Sequence, residues 1–165
     1  MRVVVIADTH LRRTWPNRRL PERAVRVLSS ADVILHAGDV TEREHLDDLA
    51  GHAPVHAVLG NNDPELANLL PETLELEVAG VRIGMIHDSG PARGRERRLH
   101  ARFPDTDVVV FGHSHIPWNA AGEDGQLLFN PGSPTERRRQ PHRTIGVLEL
   151  DSGEVVDARI EVVDD

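Results

Sequence analysis

The chain has 165 residues, 39% of them apolar and 28% charged, with a formal net charge of −8 at pH 7. That balance fits a globular protein with a substantial core, and no apolar run approaches the length of a membrane span. The acidic net charge argues against broad electrostatic binding of nucleic acid, and the lack of cysteine removes disulfides, thiolate metal sites and catalytic thiols.

Residues Val3 to Ala7 form a β-branched run that reads as a buried parallel strand. The N-terminus lacks the basic region, apolar stretch and cleavage site of a signal peptide, so a cytoplasmic protein is expected. A loop holding Trp15-Pro16-Asn17 follows. Pro21 then opens a helix through Leu28, with proline at the first helical position. Val33 to Leu35 reads as the second strand. Thr41-Glu42-Arg43-Glu44 has capping-box spacing and predicts a helix to about Ala50. Val55 to Leu59 is the third strand, and this β-α-β-α-β order implies parallel pairing.

The second half changes character. Thr73 to Val78 and Val81 to Ile86, joined by Ala79-Gly80, predict a hairpin. Arg93 to Arg102 predicts a charged helix, and Asp107 to Phe111 a buried strand. Leu127 to Phe129, Thr144 to Leu150 and Val155 to Val163 complete the strands, with Asp151-Ser152-Gly153 as the last turn. There are no repeats and no long linker. One domain over residues 1–165, with two packed sheets and flanking helices, is expected.

Metal-ligand residue types stand at the ends of five predicted strands. They are Asp8-Thr9-His10, Gly38-Asp39, Gly60-Asn61-Asn62-Asp63, His87-Asp88 and Gly112-His113-Ser114-His115. Open α/β sheets bind ligands beyond the carboxyl ends of their strands. Residues two apart in an extended chain share a side, so Asp8 with His10, and His113 with His115, are each expected to address one centre. Gly38, Gly60 and Gly112 are expected to let the backbone approach a bound group closely. Imidazole, carboxylate and amide oxygen suit divalent manganese, iron, nickel, cobalt or zinc. All 19 basic residues are arginine, so guanidinium groups are the available grip on a phosphate.

The ordered set resembles the calcineurin-like metallophosphoesterase superfamily, and most closely its small YfcE-like phosphodiesterase branch. The family pattern is Asp-x-His, Gly-Asp, Gly-Asn-(His/Cys/Asn)-(Asp/Glu), a lone His, then Gly-His-x-His. All five elements occur here in order, and Asn130-Pro131-Gly132-Ser133 is similar to a loop near the site in that branch. The resemblance implies an α/β fold, a four-layer α-β-β-α sandwich with two packed mixed sheets. It implies two divalent cations, manganese first. Asp8, His10 and His115 would hold one and Asn61, His87 and His113 the other, with Asp39 bridging. A hydroxide between the cations would attack the phosphorus of a small diester or monoester. Nucleic acid would enter only as a substrate and membranes not at all. Relatives form homo-oligomers, which exposed strand edges would support.

Two departures stand out. Many relatives carry a histidine that assists the leaving group where this chain has Asn62, an amide that cannot act as a general acid. Asp88-Ser89 follows His87 where relatives often have Gly-His, so Asp88 is read either as a partner to a histidine or as a disturbance of the second cation's surroundings. Asp63 is expected to brace its loop. His36, His45, His52, His56, His100 and His142 are expected to be structural or surface residues. Arg12, Arg13, Arg18 and Arg19 are read either as a phosphate grip or as a solvated loop. The rival class is a non-catalytic scaffold, the use to which the retromer subunit of the vacuolar sorting system puts this fold.

Overall fold

The computed structural model describes residues 1–14 and 18–164, so the expected Trp15-Pro16-Asn17 loop lies outside the described residues. The first half alternates as expected: β1 (Arg2–Ile6), α1 (Glu22–Leu28), β2 (Val33–His36), α2 (Arg43–Ala50) and β3 (Val55–Ala57). The second half contains β4 (Thr73–Val78), β5 (Val81–Ile86), α3 (Arg95–Arg102), β6 (Val108–Val110), β7 (Trp118–Ala121), β8 (Leu127–Asn130), β9 (Thr144–Asp151) and β10 (Glu154–Val162).

The strands form two mixed five-stranded sheets, ordered β10-β9-β1-β2-β3 and β4-β5-β6-β8-β7. In the first, β1, β2 and β3 are parallel and β9 runs antiparallel to both β1 and β10. In the second, β5, β6 and β8 are parallel, flanked by antiparallel β4 and β7. Alternation along each strand sorts side chains to opposite faces. Val3, Val5 and Leu35 meet Ile83, Met85, Val108 and Phe129 between the sheets. Val4, Ile6 and Ile34 face outward onto Ala24, Leu28 and Leu49 of α1 and α2. Val109 and Leu128 pack under Leu99 and Phe103 of α3. The order of layers is therefore helix, sheet, sheet, helix, as the resemblance implies.

Local details depart from the sequence reading. Pro21 has φ −54° and ψ 146°, so it sits just before the helix and its carbonyl accepts the first helical bond, from Val25 N at 3.1 Å. The Thr41 capping box does not form. Asp63 accepts the Thr41 N–H at 2.7 Å, the residue lies at φ 79°, and its hydroxyl turns to the carbonyls of Leu11 and Val40. Helix α2 starts at Arg43 with Glu42 before it and no side-chain cap. Helix α3 starts two residues later than expected, after Gly94 at φ 72°. Arg98 on this helix donates to the carbonyls of Ser89, Pro91 and Arg93, and so ties down the loop that follows His87. Strand β7 is absent from the sequence reading because Trp-Asn-Ala-Ala lacks a β-branched run. It forms by pairing with β8 at a sheet edge.

His45 on α2 is buried, its Nε2 has no hydrogen-bond partner, and burial holds its pKa down at about 4. Its ring meets that of His36 edge-on at 6.0 Å, and burial likewise pushes the His36 pKa well down. Between about 4 and the ordinary 6.5 the unfolded chain binds more protons at His45 than the folded one does. Its contribution is therefore complete above pH 6.5 and is lost as pH falls through 4. The expected effect is on the order of 3 kcal/mol. Thermal melts of metal-free protein across that window should show His45→Leu with a shallower acid-side loss than the parent. Parallel curves would contradict the assignment.

Candidate metal centre

The expected site residues converge where the segments leaving β1, β2, β3, β5 and β6 meet beyond the strand ends. Backbone bonds cross-link these segments: Asp8 N to Gly38 O at 3.0 Å, His10 N to Asp39 O at 3.1 Å, and Gly112 N to His87 O at 2.9 Å. All seven expected ligand residues are brought together, in two clusters that share Asp39. In one, His10 Nε2 lies 3.4 Å from Asp39 Oδ2, 3.4 Å from His115 Nε2 and 4.0 Å from Asp8 Oδ1, which is itself 3.3 Å from His115 Nε2. In the other, His87 Nε2 lies 3.5 Å from Asp39 Oδ1 and 3.1 Å from Asn61 Oδ1, with His113 Nδ1 2.9 Å from that same amide oxygen. Asp39 thus turns one carboxylate oxygen to each cluster. Asp8 reaches both, since ligand atoms of Asp8, Asp39 and His87 also lie within 4.8 Å of one another.

Two histidines are oriented by backbone carbonyls. His87 Nδ1 donates to Ala37 O at 2.7 Å and His115 Nδ1 to Glu136 O at 2.6 Å, so both rings turn Nε2 inward. Burial opposes a charge on His87, yet Asp39 and Asp8 raise its pKa above the ordinary 6.5. Burial likewise opposes a charge on Asp39, and bonds from His87 and Asn62 outweigh it and hold the carboxyl far below its usual range. His10 is shifted down, chiefly by burial, against Asp39, Glu136 and Asp8.

Asp8 provides the test of whether a cation fits. It is fully buried, and neither carboxylate oxygen has a hydrogen-bond partner. A buried carboxylate without donors costs several kcal/mol. The atoms within reach are imidazole nitrogens and another carboxylate, a donor set that suits a divalent cation.

The expectation of extended backbone at these residues is overturned. Asp8, His10, Asp39, His113 and His115 all take positive φ, at 54°, 46°, 59°, 67° and 59°. Asp and His tolerate this region better than most residues, but each such residue costs on the order of 1–3 kcal/mol. Turns, not pleating, place these side chains: Asp8 and His10 share one cluster as expected, whereas His113 and His115 go to different clusters. The glycine reading also changes. A Cβ on Gly60 would lie 2.1 Å from Asp39 N, and one on Gly38 would lie 2.6 Å from the His87 ring. These glycines make room for ligand-bearing residues.

Around the clusters, Asp63 accepts the N–H groups of Asp39, Gly60 and Thr41 at 2.9, 2.8 and 2.7 Å, bracing the loop as expected. Asn62 clamps Asp39, with its N–H on Oδ1 at 2.8 Å and its amide nitrogen on Oδ2 at 2.7 Å. Asp88 is exposed and caps its own turn by accepting Gly90 N–H at 2.7 Å; no contact with a histidine is present among the described residues. His36 is structural, its Nε2 3.0 Å from Thr9 Oγ1.

The Asn130–Ser133 loop stands beside the site as expected. Asn130 donates to Gly112 O at 2.9 Å and Ser133 Oγ to Asp8 O at 2.8 Å. Thr135, absent from the sequence reading, donates to Thr9 O at 2.7 Å; the alternation Ser133-x-Thr135 was the available signal. Arg18 pairs with Glu136. Arg12, Arg13 and Arg19 line a cavity of about 770 Å³ against Val25, His45 and Leu49, and none of the seven ligand residues lines it. Convergent ligand atoms, not concavity, mark the centre.

Residues 1–153 match the family model described as the calcineurin-like phosphoesterase superfamily domain. The chain is 36% identical over 164 residues to a probable metallophosphoesterase of Methanothermobacter thermautotrophicus, covering 97% of this chain and 91% of that one. A crystallised single-substitution form of Vps29 from Entamoeba histolytica superimposes with a TM-score of 0.77 at 27% identity, over 100% of this chain and 99% of the other. An archaeal phosphodiesterase superimposes at 0.75 over 98% of this chain and 99% of the other; its 21% identity bears on the fold alone.

Proposed function

The chain belongs to the calcineurin-like phosphoesterase superfamily, and from that premise we propose that it is a cytoplasmic, single-domain phosphoesterase that hydrolyses phosphodiesters, or else monoesters, with two divalent cations. The observation that carries this reading is the pair of fully buried Asp8 oxygens without a hydrogen-bond partner, beside an Asp39 that turns one oxygen to each histidine cluster. Asp8, His10 and His115 would hold one cation and Asn61, His87 and His113 the other, with Asp39 between them. The bound ions, manganese first, would supply Lewis acidity toward phosphoryl oxygen and a nucleophile at neutral pH.

The chain's own residues do the positioning. Carbonyls of Ala37 and Glu136 hold His87 and His115 in the tautomer that leaves Nε2 free to ligate. Asn62 and Asp63 fix Asp39 from the side chain and from the backbone. Asn62 cannot supply the proton that a histidine at this position would, so departing groups are expected to leave as stable anions. Asn62→His should therefore raise turnover of esters with poor, alkyl leaving groups by at least about tenfold, toward the 10²–10⁴ range of general-acid catalysis. Nitrophenyl esters should change little. A variant with no gain on alkyl esters would remove the explanation.

The deciding experiment is metal analysis combined with hydrolysis of a chromogenic phosphodiester in added manganese. Stoichiometric metal with metal-dependent turnover supports the enzyme. Bound metal without turnover of any ester favours the second reading, a protein-binding scaffold, which the close superposition on Vps29 supports.

A further inference from the structure

The two clusters have differently charged flanks. Beside Asp8, His10 and His115, Arg18 lies 3.5 Å from His10 O and pairs with Glu136, so cation and anion close on each other. Beside Asn61, His87 and His113 stands Arg138. Its Nη1 lies 3.5 Å from His113 O, the loosest of contacts, and it makes no ion pair among the described residues. Its neighbour Arg137 is turned away onto Gln140 O at 2.8 Å.

Arg138 is held at that rim by the loop that carries it. Ser133 Oγ donates to Asp8 O and accepts the Glu136 N–H at 2.9 Å, Thr135 Oγ1 donates to Thr9 O, and Glu136 O accepts from His115. The segment preceding Arg138 is therefore fastened to the ligand-bearing backbone itself. Arg138 completes the approach at φ 48°, a conformation that costs an arginine energy. An exposed side chain with a merely solvated role has no need of such a placement.

We infer that Arg138 is a specificity-determining residue that selects phosphoesters bearing a second phosphate on the arm lying past His113. The guanidinium fork fits a phosphate bidentately, and giving up a long contact to a neutral carbonyl costs little. Arg18 cannot take this part without breaking its pair with Glu136. The inference rests on the phosphoesterase reading and deepens it by naming the substrate class.

The test compares the p-nitrophenyl ester of thymidine 5′-phosphate with the same ester carrying a 3′-phosphate. Arg138→Ala should raise KM for the 3′-phosphorylated ester about tenfold or more, the scale of a hydrogen-bonded charge, with kcat unchanged. KM for the other ester should stay at the parent value. Arg138→Lys should restore part of the loss, and Arg139→Ala should leave both esters alone. A parallel readout needs no turnover: calorimetric binding of thymidine 3′,5′-bisphosphate and of thymidine 5′-phosphate to manganese-loaded protein. The parent should prefer the bisphosphate and Arg138→Ala should lose that preference. If no ester is hydrolysed but this preference is present and lost on substitution, the arginine's role stands and the phosphoesterase reading falls. A parent without preference in binding, or a variant that weakens both ligands equally, overturns the inference.

Discussion

Asp39→Asn is expected to abolish metal-dependent turnover, with a loss on the order of 10³-fold or more, at least the scale of removing one preorganised electrostatic group. The reason is geometric. One oxygen lies 3.4 Å from His10 Nε2 and the other 3.5 Å from His87 Nε2, so this residue faces both clusters through separate carboxylate oxygens. An amide removes the charge and replaces one oxygen with a donor. That donor would also face Asn62, whose N–H and side-chain amide both donate to Asp39. The two effects differ in readout. Metal content should fall below two ions per chain, whereas the melting temperature of metal-free protein should drop by only about 2–4 °C, the equivalent of roughly 1 kcal/mol in a chain of this size. A verified Asp39→Asn protein that turns over at the parent rate, with chelator present, would sink the two-cation reading.

Gly60→Ala is expected to be the most damaging small substitution in the loop. The added carbon would stand 2.1 Å from Asp39 N and 2.2 Å from Asp39 Oδ1. The nearest of these atoms is backbone, and Asp39 N is already bonded to Asp63, so no flexible side-chain end can yield. Gly60 N donates to the same Asp63 oxygen, which ties the two strand ends together across the contact. Overpacking of this kind typically costs about 1–3 kcal/mol, and the rigid neighbour puts this position at the upper end. A melting temperature about 6–12 °C below the parent, with metal binding lost even in the folded fraction, is the expected result. Gly125→Ala is the control: nothing lies within 4 Å of its Cβ, and its φ of 79° should cost only about 1–2 kcal/mol. Parent-like melting and full metal content in Gly60→Ala would show that the loop relaxes.

The strand ends and the order of the ligand residues were legible because both are local. Val3–Ala7, Val33–Leu35 and Asp107–Phe111 announce buried strands by composition, and Asp8, Asp39 and His113, which follow these runs within a few residues, are among those that converge. The β4–β5 hairpin was legible to the residue, since Ala79-Gly80 interrupts two clean runs. What escaped the sequence depends on partners far along the chain. Thr41 looked like a helix cap until Asp63 claimed its N–H, and the bond from the Asn62 amide to Asp39 had no local signal. The positive φ of the ligand residues was illegible for the same reason. Nothing in Asp-Thr-His specifies a turn; the bonds to Gly38 and Asp39 carbonyls do. Arg138 sits in an arginine run with no distinguishing local pattern, and only the fastening of its loop sets it apart.

The bond from Ser133 to Asp8 joins residues 125 apart in the chain, and β1 lies between β2 and β9, whose residues are about 110 positions apart. Such distant pairings form slowly, because long loops must close before they are rewarded. All seven proposed ligand residues leave the ribosome before Ser133 and β9 do, yet the arrangement that presents them is incomplete until those later segments arrive. Uptake of the proposed cations is thereby expected late in the life of each molecule, and a nascent chain halted at residue 120 is expected to carry all seven proposed ligand residues without the segments that fasten Asp8 in place.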